Sequence, residues 1–552
     1  MKLKTNAFKC KALQEGYLAL RAGLLAVAAM ALMPKTSASM KRSANGSGKL
    51  SWRRAFPVLV LGATLSIALP AQTFTPVLSF NGIDGSHPLA GLIQGKDGNL
   101  YGTTLNGGTS LNPSSGGGTL FKVTPQGAIT TLYRFCPSLN PCPDGEFSEA
   151  AVVQAKNGDL YGTTSAGGTN TGFMGGGAGT IFSFSPSGTL TSLYSFCAQS
   201  GCTDGETPYA GLIQASDGSF YGTAEAGGAN CVPYGGCGTV FKINAPGKFT
   251  TLYGFCAQSL CTDGSGPLAG LVQARNGDFF GTTGTGGANT GGAYGYGTVF
   301  KITSSGKLTT LYSFCNQSGC TDGANPGAGL VQAANGDFYG TTEYGGYDNG
   351  GTVFKIGADG TLTTLYTFCA KTGCEDGKNP FAGLIQTTDG NLYGTTYYGG
   401  ASGYGTVFRI TPAGQLTTFY SFCAQSGCTD GSYPNALMEA TNGKLYGTTQ
   451  FGGIGTKCFS VGCGTVFSVS AGLSPFVKPQ PATGIAGASI EILGTNLTGA
   501  SSVTFNGTPA IFNVNSPSEI TATVPTGATT GTVQVVTPSA TLSSNVPFQV
   551  LP

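Results

Sequence analysis

One sequence block recurs seven times and limits what this chain can fold into. Leu100-Tyr101-Gly102-Thr103-Thr104 returns every 53 to 60 residues. The aromatic residues of the copies are Tyr101, Tyr161, Tyr221, Phe280, Tyr339, Tyr393 and Tyr446. Each copy is followed by a Gly-Gly pair and then by a Gly-Thr-x-Phe block. A fixed period of this length is typical of a repeat architecture whose units pack on their neighbours.

Each unit has the pattern of four short strands. In the second unit we expect an Asn157-Gly158 turn of type I′ and a Pro-x-Gly turn at Pro186. The predicted strands there are 151–154, 160–164, 180–185 and 190–196. With 92 glycines and 9% charged residues, the composition disfavours helices. Units too small to bury both faces must stack, and since a β-helix rung is much shorter, the pattern predicts an all-β propeller.

The ends of the repeat region indicate how the propeller closes. The seventh unit has a third strand at Thr465–Ser470 but no fourth. The missing strand matches Pro76–Phe80, which precedes the first full unit. Because a strand from each end closes a ring without exposed edges, we predict a seven-bladed β-propeller over residues 72–472.

The N-terminal region has the features of an export leader. Two apolar runs occur, at 17–33 and 55–69, and a basic segment after Met40 precedes the second. We therefore predict a leader over residues 1–71, with Met40 as the start and signal-peptide cleavage after Ala71. A signal anchor that includes residues 1–39 is the alternative. In either case we expect no stable transmembrane segment in the mature chain.

The charge of the predicted mature chain is acidic. The whole sequence carries +2, but 11 of its 27 basic residues and one of its 25 acids precede Gln72, which leaves 16 basic against 24 acidic residues. This balance argues against nucleic acid and anionic membrane surfaces as partners.

Sixteen of the 17 cysteines divide into eight close pairs. An even number of local pairs behind a leader predicts disulfides in an oxidising compartment. Zinc is the competing interpretation, but the spacing is not that of zinc knuckles, and His87 is the single histidine. The predicted pairs are Cys136–Cys142, Cys197–Cys202, Cys231–Cys237, Cys256–Cys261, Cys315–Cys320, Cys369–Cys374, Cys423–Cys428 and Cys458–Cys463.

Two rings of charged residues are candidate sites. An Asp-Gly step in the loop between blades could supply calcium ligands or glycosidase-type carboxylates. Its symmetric repetition favours an Asx-turn before a glycine with positive φ. These aspartates are Asp84, Asp144, Asp204, Asp263, Asp322, Asp376 and Asp430. A basic residue after the Phe of strand three could line an anionic ligand path, although such a side chain more often snorkels. The basic ring is Lys122, Lys242, Lys301, Lys355 and Arg409, with Ser183 and Ser468 in the other blades.

Catalytic constellations are scarce. A Ser-His-Asp hydrolase would have to use His87, which occupies a loop position held in sister units by residues such as Thr207 and Asn325. A loop role for His87 is the simpler interpretation. We therefore expect no catalytic residues and no bound cofactor.

The loops after Gly-Gly vary in length and composition, whereas the strands do not. Variable loops on a rigid ring are the expected place for function, and their tyrosines suit stacking on sugars. The ligand-binding candidates are Phe173, Tyr234, Tyr294, Tyr296, Tyr347, Tyr404 and Phe459.

The repeat unit resembles the bacterial GloVer tandem repeat of exported choice-of-anchor proteins. The resemblance rests on its Leu-Tyr-Ser-Phe-Cys, Asn-Leu-Tyr-Gly-Thr-Thr and Gly-Thr-Val-Phe-Lys-Ile blocks, covers residues 76–470, and implies an extracellular or surface location. Residues 473–552 have another composition, and the segments 494–497, 503–507 and 531–535 resemble an IPT/TIG domain, an immunoglobulin-like β-sandwich. We expect this domain to act as a spacer or contact module.

These observations predict a secreted, periplasmic or outer-surface protein that binds without catalysis. The expected partner is an extracellular glycan or a surface protein. A secreted polysaccharide hydrolase or lyase, or a structural envelope protein, are the alternatives.

Overall fold

The computed structural model describes residues 73–108, 116–137, 142–172, 176–230, 237–245, 247–289, 295–455, 458 and 461–551. The predicted leader lies outside these residues. Regular structure in the described part of the chain is β-strand, apart from single 3₁₀ turns. These turns are Ser200–Cys202, Ser259–Cys261, Ser318–Cys320, Tyr347–Asn349, Thr372–Cys374 and Ser426–Cys428.

The first strand, β1 (Thr73–Ser79), is followed by six four-stranded antiparallel sheets, each built from consecutive strands. Sheet 1 contains β2 (Ile93–Gln94), β3 (Leu100–Thr104), β4 (Thr119–Val123) and β5 (Ile129–Arg134). Sheet 2 contains β6 (Val153–Gln154), β7 (Leu160–Thr164), β8 (Thr180–Phe184) and β9 (Leu190–Ser195). Sheet 3 contains β10 (Ile213–Gln214), β11 (Phe220–Ala224), β12 (Thr239–Ile243) and β13 (Phe249–Gly254).

The next three sheets repeat this plan. Sheet 4 contains β14 (Val272–Gln273), β15 (Phe279–Thr283), β16 (Thr298–Ile302) and β17 (Leu308–Ser313). Sheet 5 contains β18 (Val331–Gln332), β19 (Phe338–Thr342), β20 (Thr352–Ile356) and β21 (Leu362–Thr367). Sheet 6 contains β22 (Ile385–Gln386), β23 (Leu392–Thr396), β24 (Thr406–Ile410) and β25 (Leu416–Ser421).

Sheet 7 takes its strands from both ends of the repeat region. Its order is β1, β28 (Thr465–Ser470), β27 (Lys444–Phe451) and β26 (Ser432–Glu439). β1 runs antiparallel to β28, with Thr73 opposite Ser470 and Ser79 opposite Thr465. The upstream strand therefore occupies the place predicted for it.

The recurring Gly and Phe of each unit fit one another across two strands. Gly102 on β3 lies opposite Phe121 on β4. A Cβ atom at Gly102 would come within 2.7 Å of the Phe121 ring and 2.8 Å of Leu92. The glycine is required because the phenylalanine ring crosses its strand, and the same contact occurs in all seven sheets.

Consecutive sheets share apolar cores, and the last sheet shares one with the first. Seven clusters of buried residues join neighbouring sheets, and one of them contains Phe80 and Leu100 from one end with Tyr446 and Val466 from the other. A threonine of each second strand also donates to a carbonyl of the next sheet, as Thr103 does to Ala150 at 3.0 Å. This ring of hydrogen bonds returns to its start with Thr448 and the Ala90 carbonyl at 3.0 Å. The described sheets therefore form a propeller-like closed ring.

The turn between the first two strands differs from the predicted type I′. In sheet 2, Gly158 has φ 88°, whereas Asn157 is outside the positive-φ region. The Gly158 N–H donates to Ala155 O at 2.9 Å, and the Ala155 N–H donates to Asp159 O at 2.9 Å. The loop is one residue longer than a two-residue hairpin, so that only its glycine needs positive φ. The predicted first strand is also shorter than expected and begins at Val153.

The C-terminal residues form an immunoglobulin-like sandwich. Its strands are β29 (Lys478–Gln480), β30 (Thr483–Ile485), β31 (Ser489–Leu493), β32 (Ser502–Phe505), β33 (Thr508–Pro509), β34 (Phe512–Ser516), β35 (Glu519–Thr523), β36 (Val533–Val536), β37 (Thr541–Ser543) and β38 (Gln549–Leu551). One sheet has the order β29-β31-β35-β34 and the other β33-β32-β36-β37. Between them lies one apolar core that includes Ile492, Ile520 and Val535.

Candidate functional site

The ring has two faces with different connections. On the hairpin face, strand one turns into strand two and strand three into strand four. On the loop face lie the loops after Gly-Gly and the cysteine-containing connections between sheets. The candidates predicted from the sequence divide between these two faces.

The aspartates of the loop face are engaged in hydrogen bonds to the cysteine loops. Asp204 is fully buried, and its Oδ2 accepts from the Tyr194 hydroxyl at 2.7 Å and the Ala198 N–H at 2.9 Å, while Oδ1 accepts from the Gln199 N–H at 3.2 Å. Corresponding bonds hold Asp263, Asp322, Asp376 and Asp430. The geometry favours loop stabilisation over metal binding, since each oxygen already accepts from the protein.

Two members of the aspartate ring depart from this pattern. In sheet 1, Asp144 Oδ2 accepts from the Tyr133 hydroxyl and the Cys136 N–H, and burial together with the carboxylate raises the pKa of Tyr133 to about 12. Asp84 has no tyrosine partner, and its Oδ1 accepts from the Asn81 N–H at 2.8 Å.

The predicted Asx-turn occurs at a different place. The aspartates of the loop face accept N–H groups from residues that precede them, so they do not form Asx-turns, although the following glycine has positive φ as expected, for example 105° at Gly205. In the hairpin turns, by contrast, Asp97 Oδ1 accepts the Asn99 N–H at 3.1 Å, two residues later. The same bond forms at Asn157, Asp217, Asn276, Asn335, Asp389 and Asn442.

The cysteines of the described residues form disulfides. Seven predicted pairs are bonded, with Cα atoms 4.0 to 5.0 Å apart. Cys237 is also disulfide-bonded, and its predicted partner Cys231 lies outside the described residues. Three of the bonds adjoin carboxylates, at Glu146, Glu206 and Asp348. Because a sulfur in a disulfide is not a thiolate, these groups favour a structural interpretation over zinc.

The basic ring lies on the hairpin face and is largely paired. Lys242 Nζ lies 2.7 Å from Asp217, and Lys122 Nζ lies 3.8 Å from the equivalent Asp97. Lys301 and Lys355 lie 4.0 and 3.6 Å from Asp278 and Asp337, which come two positions later in their turns. The guanidinium of Arg409 lies over the Phe419 ring at 5.4 Å. The lysines therefore pair with turn carboxylates, and an anionic path draws no support from this arrangement.

His87 is a buried loop residue. It is 7% exposed, its φ is 54°, and its N–H donates to Cys463 O at 2.9 Å. Burial lowers its pKa, and its ring packs against Phe451 with centroids 5.0 Å apart. The equivalent residues of the other sheets, from Phe147 to Tyr433, also have positive φ. The position is thus determined by backbone geometry.

The three loop aromatics that the structure describes lie in different surroundings. Tyr296 is half-buried and packs against the core between sheets 4 and 5, whereas Tyr347 is 63% exposed. Tyr404 is 38% exposed and contacts the ring of Tyr433. Phe173, Tyr234, Tyr294 and Phe459 lie outside the described residues.

Five aromatic residues converge on the loop face between sheets 6 and 7. This aromatic cluster consists of Tyr397, Tyr398, Tyr404, Tyr433 and Phe451. Tyr433 lies at its centre, stacked on Tyr397 with centroids 4.8 Å apart and at a steep angle to the other three at 5.5 to 5.7 Å. All five are half-buried except Tyr404, which is exposed. The cluster therefore combines a packed base with an accessible edge.

One tyrosine hydroxyl of the cluster is fixed by a hydrogen bond, and two others have raised pKa values. The Tyr397 hydroxyl donates to Gln450 Oε1 at 2.5 Å. Burial raises the pKa of Tyr398, and the negative charge of Glu343 raises it further. Burial, with Tyr398 and Tyr404 nearby, raises the pKa of Tyr433 to about 12. The hydroxyls of Tyr398 and Tyr433 are therefore neutral hydrogen-bonding groups at physiological pH.

Of the three predicted loop aromatics that the structure describes, Tyr404 belongs to the aromatic cluster. The other members follow the Gly-Thr-Thr block or precede a proline. These segments have a constant length, so a prediction based on variable loops does not include them. Comparison of equivalent positions would have found them, because Tyr397 and Tyr398 correspond to Ser165 and Ala166 in sheet 2.

The repeat region matches a known family. A family model described as the Gloeobacter/Verrucomicrobia repeat matches residues 60–293 and 286–488. The chain belongs to the Gloeobacter/Verrucomicrobia repeat family. An IPT/TIG domain model matches residues 477–550. No curated protein matches the chain. The Gloeobacter/Verrucomicrobia repeat and the IPT/TIG domain fit a surface or extracellular binding protein, and no described helix is long and apolar enough to cross a membrane.

Solved structures resemble the chain only distantly. A fungal alcohol oxidase of the AA5 family in complex with copper is 14% identical, with a TM-score of 0.47 over 87% of this chain and 99% of that one. A protein of unknown function from Bacteroides thetaiotaomicron is 12% identical, with a TM-score of 0.37 over 72% and 76%. A putative glucose dehydrogenase from Thermus thermophilus is 13% identical, with a TM-score of 0.34 over 72% and 100%.

Proposed function

We propose that this protein is a non-catalytic carbohydrate-binding protein that acts outside the cytoplasm, and that its ligand contacts the aromatic cluster. Aromatic rings present apolar faces to sugar C–H groups, and fixed hydroxyls and amides can bond sugar hydroxyls. The observation that carries the proposal is the convergence of five aromatic side chains at one junction of a sevenfold ring. Equivalent positions in sheet 2 hold Ser165 and Ala166, so the cluster is not a requirement of the fold.

The surroundings of the aromatic cluster support a neutral ligand more than an anionic one. Glu343 influences Tyr398, and the predicted mature chain has an excess of acidic residues. Carboxylates repel uronic acids and sulfated sugars, so a neutral glycan fits better. The described disulfides agree with action in an oxidising compartment.

A glycan array with the mature chain tests the proposal, combined with an assay for release of reducing sugar. The variants Tyr397→Ala and Tyr404→Ala remove ring faces from the cluster, and each should weaken binding by at least about tenfold, a loss of about 1.4 kcal/mol. The matched control is Tyr347→Ala, which removes an exposed tyrosine of the same face that lies outside the cluster.

The outcomes separate the candidate functions. Binding that is lost in the cluster variants and kept in Tyr347→Ala supports the proposal. Equal effects of all three variants would place the ligand elsewhere. Release of sugar would select the polysaccharide hydrolase or lyase, and an array without binding would leave a surface-protein or structural role.

A further inference from the structure

The ring closes at one junction between chain segments that are distant in sequence. At this closure seam, between sheets 7 and 1, Asn435 Nδ2 donates to Pro88 O at 2.8 Å and the His87 N–H donates to Cys463 O. Within sheet 7, the Phe80 N–H, next to the end of β1, donates to Gly464 O, next to the start of β28, at 3.0 Å. Here the order of the ring depends on contacts between the two ends of the repeat region.

The C-terminal sandwich contacts both sides of the closure seam on the hairpin face. On sheet 1, Lys96 Nζ lies 2.8 Å from Glu491, and the Ser518 hydroxyl donates to Lys96 O at 2.7 Å. On sheet 7, the hydroxyls of Thr441 and Thr495 share a hydrogen bond of 2.7 Å. The sandwich thus bridges the two sheets that the closure joins.

Thr441 connects sheet 7, sheet 1 and the C-terminal sandwich. It is buried, its N–H donates to Gln94 Oε1 at 2.9 Å, and its hydroxyl accepts from Gln94 Nε2 at 3.1 Å. The same hydroxyl bonds Thr495 of the sandwich, and the Thr441 carbonyl accepts from the Phe476 N–H at 3.0 Å. A single residue therefore belongs to sheet 7, to the contact with sheet 1 and to the contact with the sandwich.

The ion pair beside Thr441 adds to the contact. The side chains of Lys96 and Glu491 are only 17% and 25% exposed. The Lys96 ammonium also donates to the Lys156 carbonyl of the next hairpin turn at 2.6 Å. Such a partly desolvated, multiply bonded pair resists screening more than an exposed surface pair does.

We propose that the C-terminal sandwich is a clamp that holds the propeller-like ring closed at its seam. Within the described part of the chain, Glu491 and Ser518 of the sandwich contact Lys96 of sheet 1, and Thr495 contacts Thr441 of sheet 7. Separation of these two sheets would open the ring. The aromatic cluster reaches the same seam from the other face, because Phe451 packs on His87. Loosening of the clamp therefore loosens one wall of the cluster.

Hydrogen exchange on the full mature chain tests this proposal without any ligand, so its result is independent of the proposed function. The double variant Glu491→Gln with Thr495→Val removes the charge that pairs with Lys96 and the hydroxyl that bonds Thr441, and it leaves the Ser518 bond to Lys96 O in place. We expect the amides of Phe80 and His87 at the seam to exchange at least about fivefold faster. The equivalent amides of Phe314 and Asn325, at a junction the sandwich does not touch, should keep their rates.

Two further variants complete the test. Glu519→Gln alters a sandwich carboxylate that makes no hydrogen bond or ion pair in the described residues, and it should leave the seam unchanged. Lys96→Met disturbs the clamp from the ring side and leaves the Gln94–Thr441 contact between sheets 1 and 7 in place. It should also speed exchange at the seam, which decides the matter if the double variant unfolds the sandwich. Changes confined to residues 478–551, or equal acceleration at every junction, would overturn the proposal.

Discussion

The propeller-like ring and the C-terminal sandwich keep their shapes by different means. Neighbouring sheets of the ring share small apolar cores, and the ring adds repeated threonine bonds, buried aspartates and local disulfides. The sandwich has one continuous apolar core and no cysteine. Small repeated units bury too little apolar surface alone, so polar contacts and covalent links between and within units carry more of their order.

The largest effect is expected when the strand that closes the ring is removed. The sandwich does not depend on this closure. Deletion of residues 73–79 removes β1 and uncovers the edge of β28. The partly buried side chains of Phe74, Val77 and Leu78 are lost with it, together worth about 5 kcal/mol of buried apolar surface. We expect the melting temperature to fall by more than about 5 °C and association through the open edge to follow.

Calorimetry and light scattering measure this effect. A chain that begins at Thr73 serves as the control, since it keeps β1. A deletion variant that melted with the parent and stayed monomeric would show that the ring is not closed by this strand.

Disulfide removal should separate the two regions. The pair Cys315 and Cys320 closes a loop of about six residues, so Cys315→Ser with Cys320→Ser should cost about 2 kcal/mol of ring stability. Protection of sandwich amides such as Ile520 should be unchanged. Mass spectrometry of unreduced peptides provides the control, and free thiols or bonds between sheets in the parent would contradict the assignment.

Glu439 tests the boundary between the two regions. It replaces the glutamine of the other six first strands, and burial raises its pKa from 4.5 to about 7, with smaller opposing effects from its bonds to Thr388. Because the folded-state pKa is above the unfolded value, the folded state favours the protonated carboxyl of Glu439. The stability that comes from this protonation is fully present below pH 4.5 and is lost as pH rises through about 7. The positive charge of Lys478 of the sandwich acts on Glu439 and partly opposes the rise in its pKa.

The variant Glu439→Gln should therefore be more stable than the parent at pH 8 by about 1 to 2 kcal/mol, after allowance for partial exposure, and nearly equal at pH 5. Denaturant unfolding at both pH values measures the difference. Glu519→Gln is the matched control and should change neither value. A pH-independent gain for Glu439→Gln would indicate a packing effect in place of a titration.

The smallest expected effect concerns a polar defect of the ring. The buried hydroxyl of Thr310 has no hydrogen-bond partner among the residues that the structure describes, and the same holds at Thr251, Thr364 and Thr418. Thr310→Val keeps the shape and removes the unpaired group, which should stabilise the ring by up to about 1 kcal/mol. Thr309→Val, at an exposed neighbour on β17, should be near neutral in the same denaturant series.

The repeated four-stranded sheets could be predicted from the sequence because the motifs that indicate their strands are local and recur in every unit. The Gly-Thr-x-Phe block predicts the third strand, and the unmatched Pro76–Phe80 segment predicts the closing strand. The prediction of a type I′ turn was wrong because Asn-Gly also occurs in longer hairpin turns. The flanking hydrogen bonds distinguish the two turns, and the dipeptide alone does not determine them.

The candidate site was less predictable. The bonds between Tyr194 and Asp204 join residues ten positions apart, and the pattern alone suggested a local turn. The aromatic cluster combines Tyr397 with Tyr433 from different sheets, and a contact between sheets follows only once the register of the ring is known. For the aromatic cluster, the informative signal was the set of positions that differ between otherwise matching units.

The position of β1 also has a consequence for biogenesis. Ser79 bonds the backbone of Ile454, 375 residues later, so the strand made first finds its partner last. Contacts at such separation are slow to form, because a long chain must be ordered before they stabilise it. Until the seventh sheet emerges, the outer apolar faces of sheets 1 and 6 are uncovered and β1 is unpaired, so both can associate with other chains. Each bond from Cys197–Cys202 onward closes within its own unit, so oxidation can proceed sheet by sheet and keep finished units folded while the ring is still open.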